Sequence, residues 1–195
     1  MTEWSQIGLS VEHYRLFVCL ATFLASTHAY CKVSPFFSIT WFGSSLVLGW
    51  FWSEGTAQPE AILLPGLVVY VAAALTKGIV ESRPRLRGNH LVHVLVTGLF
   101  TGVVSLPLES AARTQNWVLP REISGSLLGL DAGWFGGIAP LAFATWVVLG
   151  TLYYGLYKLL DHVGLGGAAQ VVLLFAATPF VGEGVQWVLE LIGAG

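Results

Sequence analysis

Polar side chains recur at every fourth position of the otherwise apolar stretch HVLVTGLFTGVVSLPLE, which covers residues 93–109. The members of this polar row are His93, Thr97, Thr101, Ser105 and Glu109. Four residues advance a helix by about 400°, so the row drifts by about 40° per step and faces one neighbour only if the helix bends, for example at Pro107. Because a carboxylate within hydrocarbon costs several kcal/mol, the acid that ends the row is a candidate functional group.

Other features of the same stretch have structural interpretations. Gly98 and Gly102 form a GxxxG pattern, which permits close contact with a neighbouring helix. The hydroxyl groups of the polar row can bond to carbonyl groups of the preceding helical turn, and this is the leading interpretation for them. For Glu109, the main alternative to a functional role is solvation at the membrane interface.

Three further acids are candidates for the same kind of site. Glu54 follows three aromatic residues in GWFWSEG, Glu183 lies between two glycines in TPFVGEGVQW, and Asp131 precedes an apolar stretch in LDAGWF. We predict catalytic roles for Glu109 and for these three acids. The alternatives are interfacial solvation for Glu54, hydration at a helix break for Glu183, and a loop or helix N-terminal position for Asp131.

Tryptophan is abundant in this chain, with eight copies beside eleven phenylalanines and six tyrosines. Most of these rings are typical of the aromatic belts at membrane interfaces. A smaller group lies close in sequence to the acids, and we predict that it lines a substrate-binding cavity: Trp50, Trp52, Trp117, Trp134 and Trp146. Aromatic faces stabilise a cation without acting as bases, and burial favours the neutral form of a carboxylic acid. Such a combination is suited to carbocation chemistry.

The sequence predicts neither a cofactor nor a bound metal. His90 and His93 are three residues apart, whereas His13, His28 and His162 have no partner at a ligand-like spacing. The chain lacks a P-loop, a GxSxG nucleophile elbow and a CxxC motif. Its formal net charge of -2 argues against nucleic acid as a partner.

Composition indicates a membrane protein. Of the 195 residues, 55% are hydrophobic and 10% are charged, whereas soluble domains average about 25% charged residues. We predict an all-α, polytopic integral membrane helix bundle with about six transmembrane helices (five to seven), forming one domain over residues 1–195. The candidate spans are 12–31, 35–53, 61–80, 90–108, 136–158 and 168–192. Pro179, Gly182 and Gly184 are expected to kink or break the last span.

Basic residues predict the orientation of the helices. Arg83, Arg85 and Arg87 occupy one connection, and Lys32, Lys77 and Lys158 fall on the same side, which is then the cytoplasmic side. This orientation places both chain termini outside. It also places a group of acids near the outer face: Glu54, Glu60, Glu109, Glu122 and Asp131. We expect a location in the cell (inner) membrane.

The region from Glu109 to Trp146 resembles the carotenoid biosynthesis protein family, which includes bisanhydrobacterioruberin hydratases. The residues that carry the resemblance read LESAARTQNWVLP and WFGGIAPLAFATW, and Glu54 in GWFWSEG matches an acid of an earlier family helix. The family pattern has Asp-Pro where this chain has Glu109 and Ser110, and Asn where it has Ala142. In size, helix count and use of acids, the chain is more distantly similar to integral membrane terpene cyclases.

The resemblance implies a lipophilic isoprenoid substrate taken from the bilayer. With the acids and rings above, we expect protonation of an isoprenoid C=C by Glu109 or Glu54, followed by cyclisation or hydration. Asp131 or the second glutamate would act as base or hold water. Such an enzyme would be a terpene cyclase, classed as a lyase or isomerase, or a carotenoid hydratase. The alternatives are a small-molecule-binding or transport protein, which a broken sixth helix would suit, and a structural subunit of a membrane complex.

Overall fold

The computed structural model describes residues 11–52, 58–86, 88–115, 140–164 and 167–191, without the side chains of Trp52 and of residues 111–115. The described residues form six helices: α1 (Val11–Lys32), α2 (Pro35–Trp52), α3 (Pro59–Glu81), α4 (His90–Gln115), α5 (Pro140–His162) and α6 (Gly167–Leu191). No strand occurs within these ranges. The predicted all-α helix bundle is therefore confirmed.

Three helices differ from the prediction. Helix α5 ends at His162, four residues beyond the predicted end of its span at 158. Helix α4 continues past Pro107 to Gln115, about two turns beyond the predicted end, so Glu109 lies inside the helix and not at its end. Helix α6 is continuous from Gly167 to Leu191, so the predicted break is absent. A proline removes one backbone hydrogen bond, and packing of one face of α6 against neighbouring helices is sufficient to hold the helix together.

Among the described residues, three helices are long and apolar enough to cross a membrane: Pro59–Glu81, His90–Ser110 and Gly167–Leu191. Large apolar side chains are also exposed on the surface of the bundle, including Phe23 on α1, Ile39 on α2 and Phe180 on α6. Extensive apolar surface of this kind is stable in contact with lipid. The chain is a membrane protein, while the crossing of the membrane by α1, α2 and α5 stays a prediction.

Each helix from α2 to α6 packs against the next one along the chain, and α6 packs against α2, which closes the bundle. Helix α1 packs against α2 and α3. Close approach of α4 and α5 depends on glycine. A Cβ atom at Gly98 would meet Thr151 and Val147, and one at Gly150 would meet Thr101. The GxxxG pattern thus supports close helix contact, as predicted, and α4 packs against both α5 and α3.

The interior contains two regions of different chemistry. The first, the acidic cluster, joins the beginnings of α1, α3 and α5 to the C-terminal part of α4 and consists of Tyr14, Arg15, Glu60, Glu109 and Trp146. The second, the aromatic core, lies among α2, α3 and α5 and consists of Phe37, Trp41, Tyr70, Tyr153 and Tyr157. Because consecutive helices alternate in direction, the acidic cluster lies at the end of the bundle predicted to face outward.

Candidate active site

One half of the acidic cluster is an ion pair between α1 and α3. The Nε atom of Arg15 donates a hydrogen bond to Oε1 of Glu60 over 2.9 Å, and its Nη1 contacts Glu12 over 3.2 Å. Glu60 is completely buried, whereas 37% of the Arg15 side chain is exposed. Glu60 is the second residue of α3, where the helix dipole favours a negative charge. Arg15 thus reaches inward from the surface to a buried carboxylate.

The other half is a hydrogen bond between α4 and α5. The indole Nε1 of Trp146 donates to Oε1 of Glu109 over 2.7 Å. Glu109 is 2% exposed and Trp146 is 3% exposed. The contact forms because Gly102 brings α4 against Phe143 and Val147 of α5, which lie three residues before and one residue after Trp146. Two side chains predicted separately, as an acid and as a cavity wall, therefore meet.

Tyr14 on α1 is 2% exposed and lies near enough to both glutamates for their charges to act on its hydroxyl. Helix α3 packs against both α1 and α4, so the two carboxyl groups form one candidate site. The second oxygen of Glu60, Oε2, is buried and has no hydrogen-bond partner among the described residues. Such an atom costs about 1–3 kcal/mol, and buried groups of this kind are uncommon outside functional sites.

The polar row faces the interior from Thr97 to Glu109. Thr97, Thr101 and Ser105 are at most 1% exposed. The hydroxyl of Thr101 donates to the carbonyl oxygen of Thr97, and that of Ser105 donates to Gly102, each over 2.8 Å. For these two residues the structural interpretation of the hydroxyl groups is confirmed. The row stays buried despite its drift because α4 packs against two helices, α3 and α5.

The remaining predicted site residues are placed differently. Glu183 is exposed on α6, and no described contact joins it to the acidic cluster. Trp50 is 46% exposed near the end of α2, as expected of an interfacial ring. Glu54, Asp131, Trp117 and Trp134 lie outside the described residues, as does the side chain of Trp52.

Sequence reasoning missed Glu60, Arg15 and Tyr14 as members of a site. Arg15 and Glu60 are 45 residues apart in the chain, and only the packing of α1 on α3 joins them. One signal was available, because a single arginine in an apolar helix requires a partner that compensates its charge. Spacing also failed for histidine, since the rings of His90 and His162 lie 5.6 Å apart across α4 and α5. Within the described ranges, no group of three or more His, Cys, Asp or Glu side chains is arranged to hold a metal ion.

Comparison with known proteins adds no information about this site. The chain matches no protein-family model, no curated protein and no solved structure in the comparisons. Any functional conclusion for this membrane protein therefore comes from the chemistry of the acidic cluster.

Proposed function

We propose that this membrane protein is an enzyme that protonates a C=C bond of a lipophilic isoprenoid and then directs cyclisation or hydration of the resulting carbocation. Glu109 is the proton donor. The observation that carries this proposal is the burial of Glu109, 2% exposed, with its carboxyl group hydrogen-bonded by the Trp146 indole. A buried acid beside an aromatic ring has the two components that the first step requires.

The arrangement supports each part of that step. The indole N–H of Trp146 fixes the orientation of the Glu109 carboxyl group toward a bound substrate. Positioning a general acid in this way typically contributes about 10²–10⁴-fold to the rate. Burial excludes bulk water, which would otherwise capture the cation before a controlled second step. The apolar exterior of the bundle allows an isoprenoid to reach the site from the bilayer, in a cell membrane.

The structure gives no specific support to a transport function. The sequence argument for transport depended on a discontinuous sixth helix, and α6 is continuous through Pro179, Gly182 and Gly184. A structural subunit has no evident need for two buried glutamates, because burial of carboxyl groups opposes folding unless they are well compensated. The enzyme proposal uses these costly groups directly.

The test is conversion of an isoprenoid by the purified protein in proteoliposomes. Squalene, geranylgeraniol and lycopene are supplied separately, and products are identified by mass spectrometry. We expect the wild-type protein to convert at least one of them and Glu109→Gln to lose about 10²-fold or more of that rate. Glu190→Gln, which makes the same change at an exposed position of α6, is the matched control and retains activity. A folded wild-type protein that converts none of the three, or a fully active Glu109→Gln variant, contradicts the proposal.

A further inference from the structure

We infer that Glu60 is the proton acceptor of this reaction and that Arg15 positions it. This inference rests on the proposed function and names residues that no sequence pattern assigns. It begins from two buried carboxyl groups on the packed helices α3 and α4, of which Glu60 has one oxygen held by Arg15 and one without a described partner.

The two oxygens of Glu60 differ in their surroundings. Oε1 accepts a hydrogen bond from Nε of Arg15, whereas Oε2 is buried with no hydrogen-bond partner among the described residues. A structural ion pair normally satisfies both oxygens, because an unsatisfied buried acceptor opposes folding. Here the guanidinium holds one oxygen and leaves the other able to accept a proton or a hydrogen bond from a ligand. This is the geometry expected of a general base with one oriented lone pair.

Arg15 also accounts for the charge of the site. A guanidinium remains protonated at all physiological pH values, so Arg15 compensates the negative charge of a Glu60 carboxylate before the substrate reacts. The two carboxyl groups have different donors, since Glu60 receives its hydrogen bond from a cation and Glu109 receives one from the neutral indole of Trp146. Pairs of acids in unlike surroundings commonly divide the acid and base roles of a reaction.

The proton balance closes within this cluster. Glu109 transfers its proton to one alkene carbon, the π pair becomes the new C–H bond, and a tertiary carbocation faces the Glu109 carboxylate. In cyclisation, a second C=C attacks the cation, and Glu60 removes a proton from the carbon beside the new cation, so that this C–H pair becomes the product C=C. In hydration, water adds to the cation and Glu60 takes the proton from the added oxygen. Either outcome requires no oxidant or reductant.

A return step then restores the starting state, because Glu60 has gained the proton that Glu109 has lost. Once the product leaves, Glu60 can release its proton to water and Glu109 can take one up, and Arg15 marks the route from Glu60 to the surface because 37% of its side chain is exposed. No net proton is exchanged with the solvent in a turnover.

The experiment separates cation formation from proton removal by running the reaction in D₂O with the isoprenoid that the wild-type protein converts. Glu109→Gln cannot form the cation, so it loses both product and deuterium incorporation into recovered substrate. Glu60→Gln still forms the cation, which can return a proton only to Glu109. We therefore expect Glu60→Gln to lose about 10²-fold of product formation while deuterium continues to enter the substrate.

Two further variants test Arg15 with the same ratio of deuterium exchange to product. Arg15→Gln is expected to raise this ratio about tenfold, and Arg15→Lys to restore part of the product rate. A purely structural role would lower exchange and product together and leave the ratio unchanged. Each variant is first compared with the wild type by gel filtration and thermal unfolding in detergent. If Glu60→Gln is unstable, the pair variant Arg15→Gln/Glu60→Gln, which removes both charges, takes its place.

Three results would overturn the inference. Wild-type product formation by Glu60→Gln would exclude Glu60 as the acceptor while leaving the role of Glu109 intact. Loss of both product and deuterium exchange in a folded Glu60→Gln or pair variant would place Glu60 before cation formation. Absence of any conversion by the wild-type protein would overturn the proposed function itself, and the inference with it.

Discussion

The acidic cluster and the aromatic core are both buried, but they differ in how many of their buried polar atoms have hydrogen-bond partners. In the aromatic core, the hydroxyl of Tyr153 donates to the carbonyl oxygen of Trp41 over 3.0 Å and pairs with Ser44 over 2.7 Å, while the Trp41 indole donates to Gly66 over 3.3 Å. In the acidic cluster, a fully buried carboxylate oxygen of Glu60 has no such partner among the described residues.

This difference separates groups that stabilise the fold from groups that are costly to the fold. A satisfied buried hydroxyl or indole contributes favourably and fixes one packing arrangement. A buried acid with an unsatisfied oxygen lowers stability unless another requirement retains it. The aromatic core, with Trp41 and Tyr153 at a centroid distance of 4.9 Å and Phe37 packed on Tyr157 at 5.4 Å, is therefore assigned to stability. The acidic cluster is the region that the proposed function uses.

The largest expected effect lies in the aromatic core. Trp41→Ala removes a ring that is 1% exposed and leaves a cavity among Phe37, Tyr70 and Tyr153. We expect the free energy of unfolding to fall by about 3–5 kcal/mol, measured by denaturant titration in detergent. Glu109→Gln serves as the contrast and should lose activity with a much smaller change in stability. Equal destabilisation by the two variants would remove the distinction between the regions.

An intermediate effect is expected on activity when the indole hydrogen bond is removed. Trp146→Phe keeps an aromatic ring near Glu109 but deletes the Nε1 donor. A hydrogen bond worth about 0.5–1.5 kcal/mol corresponds to a decrease in kcat of up to about tenfold. The measurement is turnover of the isoprenoid substrate at saturation, beside the thermal unfolding temperature. An unchanged kcat would show that Trp146 is a packing residue and not an orienting one.

A smaller effect, confined to stability, is expected for Tyr153→Phe. The substitution retains the ring and deletes the hydroxyl that bonds to Trp41 and Ser44. We expect a loss of about 1 kcal/mol in the free energy of unfolding, because the Ser44 hydroxyl keeps its own bond to Thr40. Turnover by the folded variant should equal that of the wild type. A selective loss of kcat would instead bring the aromatic core into the catalytic machinery.

The smallest effect is expected at the surface of the acidic cluster. Glu12 contacts the same guanidinium as Glu60, but its side chain is 78% exposed, and exposed ion pairs contribute little. Glu12→Gln should leave both turnover and unfolding temperature unchanged. Because Glu60→Gln removes the other partner of Arg15, the two variants compare an exposed with a buried carboxylate on one arginine. A decrease in turnover for Glu12→Gln as large as that for Glu60→Gln would contradict the assignment of Glu60.

Helix positions followed from the sequence more closely than helix ends and continuity did. Apolar runs of membrane length placed α1 to α3 within about two residues of their observed bounds, because few other structures satisfy the backbone of such a run. The predicted end of α4 at 108, just after Pro107, and the predicted break of α6 at Pro179 were wrong, because each helix continues through its proline. Local propensity predicts an interruption at these positions, and packing against neighbouring helices outweighs it.

The acids also show which features the sequence predicted and which depended on packing. Residue type and spacing selected Glu109 and Trp146, but the hydrogen bond between them depends on the close approach of α4 and α5 at glycine. Glu183, which the sequence also offered as a catalytic acid, is exposed. A helix has both buried and exposed faces, and sequence depth within a span does not determine which face a residue occupies.

The sequence by itself determined that this protein is a helical membrane protein, since low charge and long apolar runs leave the backbone no other stable arrangement in lipid. It also determined that a few acids lie in apolar segments, where burial of their carboxyl groups costs free energy. Only the tertiary structure decided which acids share a site, because the Arg15–Glu60 contact joins residues from helices that are not consecutive in the chain. Long-range packing, which sets these distances, depends on many weak contacts at once and is not encoded in any short motif.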